Sequence, residues 1–457
     1  MLRDIDLYWR ELKETTKLAL PLSAAYAGNQ LMGLVDMAVV GRLDTVSMAG
    51  TGLAGTLYFI VFILGMGLIL GIDPLASQAV GANNLSGARR HLSEAIVLCI
   101  LLTIPTALLM LSTLLLVPFV GIDEPTRTAS FYYLLGRVPS ILPYFIYIAM
   151  RGYLQAISIT RPIWLSTLIA NILNLPITLF LTLGDRSLVA IGLPPVGFVG
   201  WGVFGAAIAT SIVSLAQMFF LIWSIYQLAP PARLEKATRS GILQMMRIGY
   251  PISLHLLAEG GMFALVTVLS GRFGPDILGG HHLAIMIASF TFSVCLGVSS
   301  ATSVRVGHAI GRSDTPAARC AGFVGIATGL GFMSISALCL WLGAWPIAKL
   351  FAKPTEVVAA AVPLLYIAAI FQLFDGTQII ASGALRGIGE TKMPMRINIV
   401  GYWLLALPTA LVLAFYCKLE AVGLWWGLTM GLMITSIFLT TGFHRITKNK
   451  IQPIAAL

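Results

Sequence analysis

The chain has 457 residues, 58% of them hydrophobic and only 11% charged, and its mean hydropathy is +0.89. Soluble domains carry roughly twice that charge, so a soluble multidomain protein is excluded: there is too little polar material to cover its surfaces. The net charge of +10 is scattered singly or in pairs between apolar runs, without the basic stripe interleaved with aromatics that a nucleic-acid groove requires.

Residues 1–17 are polar and mixed in charge, so no cleavable signal peptide is expected and the first apolar run is read as an uncleaved anchor. Apolar runs follow near 18–40, 51–72, 92–119, 131–150, 163–184, 197–227, 243–270, 279–303, 320–347, 357–385, 396–417 and 420–443. Each is about the 20 residues a spanning helix needs, or longer. Buried strands are shorter than this, and lipid demands hydrogen bonding closed within each segment. The predicted fold class is an all-α polytopic membrane protein with twelve transmembrane helices.

The basic residues orient it. With a cytoplasmic N-terminus, twenty-one of the 29 Lys and Arg fall on the inside, Arg233 among them, and eight on the outside, Lys353 among them. Both termini are then cytoplasmic, and the cell inner (plasma) membrane is the expected location. The five cysteines (Cys99, Cys295, Cys320, Cys339 and Cys417) are far apart, with no CxxC or Cys/His cluster, so neither a disulfide framework nor a zinc site is expected.

The sequence also repeats. At a shift of 230, Pro21 meets Pro251, Gly41-Arg42 meets Gly271-Arg272, and Ala79-Val80-Gly81 meets Ala309-Ile310-Gly311. At a shift of 232, Pro162 meets Pro394 and Pro176 meets Pro408. Six spans per half give both halves the same orientation, a parallel repeat. The expected organisation is an N-terminal lobe at 1–227, a linker at 228–246 and a C-terminal lobe at 247–457: two pseudo-symmetric six-helix bundles.

Most acids sit in loops or near span ends; Asp36, Glu259 and Asp375 do not. An ionisable group inside a span costs a few kcal/mol, on the order of 2.5–3.5 by insertion scales, and needs a partner, a proton or a cation. Gln372, Asp375, Gln378 and Ser382 share one face of the tenth helix. A carboxylate among amides suits a hard cation, which takes oxygen ligands, or a proton; a polar seam between helices is the plainer reading. Glu259 has His255 one turn before it and Gly260-Gly261 after it, and the 230 shift sets it opposite Asn29. Asn29 and Asp36 share a face of the first helix, with Tyr26 close by. Asp73-Pro74 reads as a kink in the second helix with a local carboxylate, and Asn174 beside Pro176 as a kink with or without a ligand role. His255 alone, and the pair His281-His282, read as packing or surface residues. No GxxxxGK[ST] pattern follows a strand, so ATP drive is not expected.

Several stretches resemble the multidrug and toxic compound extrusion (MATE) transporters. They are Val35-Asp36-Met37-Ala38-Val39-Val40-Gly41-Arg42, Ser77-Gln78-Ala79-Val80-Gly81-Ala82, and Phe371-Gln372-Leu373-Phe374-Asp375-Gly376-Thr377-Gln378 running into Gly383-Ala384-Leu385-Arg386-Gly387. Tyr402-Trp403 and Leu407-Pro408 resemble the NorM-like subfamily. The resemblance implies the MATE fold and export of small organic cations or amphipathic drugs against entering Na+ or H+, by a monomer in the lipid bilayer with no cofactor beyond the coupling ion. It places Glu259 and Asp375 at a cation site (Na+ if sodium-coupled), Asp36 at a coupling carboxylate, and Asn174 near Asp36. Pro176 and Ile177 stand where another subfamily has an aspartate. Asp73 with Gln78 and Gly81 is similar to eukaryotic members. Rival readings are a flippase for a lipid-linked or amphiphilic substrate, which needs a basic cavity, a membrane enzyme, which needs paired acidic metal motifs, and a channel, which needs a ring from several subunits.

Overall fold

The structure, a computed structural model, describes residues 2–115, 122–190, 192–228, 235–352 and 354–454, with side chains at 6 and from 8 onward. Linker residues 229–234 with Arg233, the end of the third run beyond Leu115, and Lys353 lie outside the described residues. Those described are almost wholly helical, and no strand occurs among them.

The helices are α1 (Leu2–Val40), α2 (Thr45–Ile69), α3 (Ile72–Gly81), α4 (Leu85–Ser112), α5 (Glu124–Arg137), α6 (Ile141–Ala156), α7 (Arg161–Leu183), the short α8 (Asp185–Ala190) and α9 (Gly202–Leu228). After the linker come α10 (Arg239–Ser270), α11 (Pro275–Gly311), α12 (Thr315–Phe351), α13 (Thr355–Ile388), α14 (Lys392–Ile399), α15 (Leu407–Leu411) and α16 (Glu420–Ile446). Two π-helical stretches, Val400–Ala406 and Val412–Tyr416, flank α15. Pro408 in α15 has no N–H to give and its ring crowds the carbonyl one turn back, which favours the looser winding around it.

Among the described residues, eleven helical segments are long and apolar enough to cross a membrane. They match the second to twelfth predicted runs. The first run lies in α1, which has 39 residues but falls short in apolarity because Asn29, Gln30 and Asp36 interrupt it. The second run is divided where the sequence suggested a kink at Pro74: the break falls at Leu70-Gly71. Pro74 lies instead in the first turn of α3, where its missing N–H has no helical partner to lose.

By internal packing the chain forms two compact units. One gathers Met1–Tyr26, Asp73–Leu85 and Tyr250–Leu457; the other gathers Ala27–Ile72 and Ser86–Gly249. In the first, α13 is the central helix, packed by α11, α12 and α16. Its core includes Phe371, Leu365, Trp425 and Leu428, all essentially inaccessible. Here α3 meets α11 backbone to backbone: a Cβ at Gly81, Gly307 or Gly311 would collide with His308, Ser77 or Gln78. The end of α13 is tied down as well. Gln78 Nε2 donates to the carbonyls of Gly387 (2.9 Å) and Ile388 (3.1 Å), and its Oε1 accepts from Ile454 N of the C-terminal tail at 2.8 Å. Glu11 and Arg305 form a two-point ion pair at 3.0 and 2.6 Å.

In the second unit α9 is central, packed by α7, α5 and α6, while α2 packs on α5. Glu94 of α4 is fully buried. It accepts from the Thr238 hydroxyl at 2.6 Å and lies 2.8 Å from His91 and 3.8 Å from Arg90. Like Glu11, this acid lies near a helix end but is buried and partnered.

Candidate functional site

The two units carry their buried acids differently. In the second unit Asp36 points from α1 into a ring of donors. Its Oδ1 accepts from Asn174 Nδ2 at 3.0 Å and from the Thr178 hydroxyl at 3.2 Å; its Oδ2 accepts from the Thr210 hydroxyl at 2.6 Å. Asn174 and Thr178 are one turn apart on α7 and bracket Pro176, so both reach the same oxygen. The Arg137 guanidinium, 4.3 Å over the Tyr58 ring, acts electrostatically on Asp36. Sequence reading paired Asp36 with Asn174. It missed Thr178, Thr210 and Arg137, although the Asn174–Thr178 spacing of four was a usable signal. Asn29 is not in this ring, and its Oδ1 is buried without a partner.

In the first unit Glu259, Asp375, His255, Gln378, Asn398 and Tyr402 are gathered from α10, α13, α14 and the π-helical stretch after it. Glu259 acts electrostatically on Asp375, and both act on the Tyr402 phenol. His255 Nε2 is 3.3 Å from Glu259 Oε2, close enough to feel its charge but not aligned as a hydrogen bond. Gln378 Nε2 donates to Asn398 Oδ1 at 2.9 Å and lies 3.5 Å from the His255 ring. Trp403 Nε1 donates to the Ala258 carbonyl at 3.1 Å; a side chain at Gly261 would meet that indole at 3.3 Å, so the small residue lets the π-helical stretch lie against α10. Several buried oxygens here find no donor: Glu259 Oε2, Asp375 Oδ1, Gln378 Oε1 and Tyr402 Oη. Native interiors leave few such groups.

The other predicted residues are placed apart from this cluster. Gln372 Oε1 accepts from Ser336 at 3.0 Å, while its Nε2 has no partner. Tyr26 meets the Ser300 hydroxyl at 3.1 Å. Asp73 lies 3.7 Å from Arg386 Nε, an ion pair at the end of α13. His255, expected to be a packing residue, sits beside Glu259. His281 does pack: it accepts from Trp425 Nε1 at 3.1 Å. A wide groove of ≈ 900 Å³ in the second unit is lined by Tyr132, Trp201 and Phe204 between Asp44 and Glu124. Both of its acids are engaged, Asp44 capping α2 through Ser47 and Glu124 pairing with Arg127 at 2.6 Å.

The MatE family model matches the chain twice, over residues 21–180 and 251–412, and the two matches start at the offset of the internal repeat. The chain is 33% identical over 458 residues to the probable multidrug resistance protein NorM of Bradyrhizobium diazoefficiens, covering 96% of this chain and 95% of that one. It is 34% identical over 459 residues to the multidrug resistance protein NorM of Burkholderia vietnamiensis, covering 97% and 96%. The crystal structure of the eukaryotic MATE transporter AtDTX14 superposes with a TM-score of 0.85 at 21% identity, covering 98% of this chain and all of that one; at that identity the likeness shows the fold. The chain therefore belongs to the MatE family, as a NorM-like, multi-pass membrane transporter rather than an enzyme.

Proposed function

We propose that the protein is a secondary active antiporter, exporting cationic or amphipathic organic compounds in exchange for entering Na+ or H+. The observation that carries this reading is the Glu259–Asp375 pair, two buried carboxylates with acceptor oxygens that no donor meets. Burying a charge is costly unless it is paired, and two carboxylates sharing a site favour a proton or a cation between them. The additional candidate ligand atoms, Gln378 Oε1 and Tyr402 Oη, are oxygens, which suits a hard cation. No group of three or more His, Cys, Asp or Glu placed to hold a metal ion by themselves occurs among the described residues, so amide and phenol oxygens would have to complete a cation's shell. The relatives' names, multidrug resistance proteins, support an organic substrate.

Coupling requires that ion and substrate favour different arrangements of the protein. In this reading the repeats at 1–227 and 247–457 are the lobes that alternate about the linker at 228–246. Asp36 is the coupling carboxylate of the first lobe, and the protein works as a monomer. The Lys/Arg asymmetry supports cytoplasmic termini, and the cell inner (plasma) membrane is the location in this reading.

The test is reconstitution in liposomes, following efflux of a fluorescent organic cation under separately imposed inward Na+ and H+ gradients. One gradient is expected to drive efflux, and Asp375→Asn to abolish it while the protein stays monodisperse. Wild-type export by Asp375→Asn sinks the site assignment. If neither gradient moves any organic cation, substrate export fails and lipid-linked substrates come next.

A further inference from the structure

We infer that the coupling cation leaves Glu259 and Asp375 along a polar stripe of α13 that opens, through a small cavity beside His255, at the end of the unit bearing the C-terminal tail. This rests on the antiport reading and adds the route. Gln372, Asp375, Gln378, Ser382 and Arg386 follow one another at three or four residues, so they form one continuous face of the helix. Ser382 is seven residues from Asp375, about 10 Å at ~1.5 Å per residue.

Between the stripe and α10 lies a cavity lined by Ile252, His255, Ser382, Gly383, Arg386 and Glu390, among others, with ≈ 30 Å³ open to the centre of a water molecule. That is room for about one or two waters, and a polar cavity of this size is one that water enters. The polar atoms facing this region are not consumed by the protein. Most helical Ser and Thr of this chain donate to a carbonyl a turn back, as Thr377 does to Leu373 at 2.7 Å. Ser382 Oγ does not: it is buried and has no partner, and neither has Gln378 Oε1 deeper along the stripe. The inner wall is His255, 3.3 Å from Glu259.

The charges at the mouth are arranged to let a cation pass. Arg386 would repel one, but Asp73 stands 3.7 Å from its Nε and offsets its field. Glu390 adds negative charge and is held in place by accepting from Met393 N at 2.9 Å. The mouth lies at the tail-bearing end because Gly389, adjoining Glu390, packs against Ile454. Asp73 and His255 thus acquire positioning roles: one offsets the Arg386 charge at the mouth, the other walls the passage next to Glu259.

The experiment is side-specific thiol labelling in liposomes. The exposed Cys339 and Cys417 are replaced by Ser. Ser382→Cys, beside the same background without it, is then treated in chloride-free buffer with Ag+, a thiol-reactive cation small enough for the cavity, from either side, with Asn449→Cys marking the tail-bearing face. The expected result is reaction at Ser382→Cys at least tenfold faster from the tail-bearing side, and at least a tenfold loss of gradient-driven flux in the labelled protein relative to the same unlabelled sample. Because labelling follows folding, misfolding cannot mimic that loss. Reaction only from the opposite side, no reaction from either, or labelling without loss of flux each overturns the route. Labelling reads access whether or not an organic cation moves, so tail-side reaction in a protein that exports none leaves the cavity's access standing and removes the antiport reading alone.

Discussion

Asp36 and Asp375 are both aspartates inside apolar helices, 5% and 4% exposed, yet their surroundings differ in kind. Asp36 has three neutral donors on its two oxygens and a guanidinium nearby. Asp375 has an oxygen with no donor, a second carboxylate, and a phenol and an amide oxygen that also lack partners. A satisfied carboxylate is part of the architecture of its unit: it links α1, α7 and α9 whatever else it does. An unsatisfied one, in the reading proposed above, is a site for something the chain does not itself supply. Burial alone, which makes the two look alike, does not separate them; the accounting of donors does.

The contrast breaks most visibly under neutralisation. Asp375→Asn is expected to cost at least tenfold in gradient-driven efflux while leaving the thermal midpoint in detergent nearly unchanged, since no hydrogen bond to Oδ1 is lost. Asp36→Asn can keep its amide oxygen on Asn174 and Thr178 and give its NH2 to the Thr210 hydroxyl, which then donates to the Ala206 carbonyl 3.1 Å away. What is lost is the charge assistance of these bonds, so it is expected to destabilise the folded protein by about 1–2 kcal/mol. Equal midpoints for the two variants would erase the distinction. Within the Asp36 ring, Thr210→Val removes the only hydroxyl on Oδ2 and should cost about 1.5–2 kcal/mol, as a bond to a charged group. Thr178→Val should cost less, because Asn174 still serves Oδ1. Reversal of that order in thermal unfolding would mean the Thr210 bond is not the strong one.

On the other side of the comparison, Tyr402→Phe removes a buried hydroxyl that bonds nothing. Stability should stay within about 0.5 kcal/mol of wild type or rise, since no partner is stranded. If the hydroxyl is a cation ligand, the concentration of driving ion that gives half-maximal efflux rises several-fold. An unchanged ion dependence would remove Tyr402 from the site and leave the two carboxylates and Gln378.

The acids were legible because charge inside an apolar run has few explanations, and the helices because their runs are long. Asn174 was legible beside Pro176. What escaped was long-range. Thr210 looks like any helical hydroxyl, since most such groups bond their own backbone and advertise nothing; Thr178 showed only through its spacing of four from Asn174. Asn398 joins Gln378 only once α14 is brought beside α13. The break at Leu70-Gly71 was hidden by an apolar run that continues through it, and Pro74 drew attention to the wrong place. The gathering of Met1–Tyr26 and Asp73–Leu85 with the second repeat has no local signature, because helical periodicity records which face is apolar and not which helix covers it.

The smallest effect separates the two units at a helix start. Asp123 caps α5, accepting from Thr126 N and from the Thr126 hydroxyl, both at 3.1 Å, whereas α13 begins at Pro354 with no side-chain cap. The bonds from Thr126 hold the exposed Asp123 carboxyl below its usual range. A carboxyl so depressed adds stability above its unfolded pKa and loses it as pH falls through the folded value. Asp123→Ala should therefore lower the thermal midpoint slightly at neutral pH. The gap from wild type should close on acidification below the usual aspartate range. A gap that persisted at low pH would show that Asp123 acts through its shape or its packing and not through the charge on its cap.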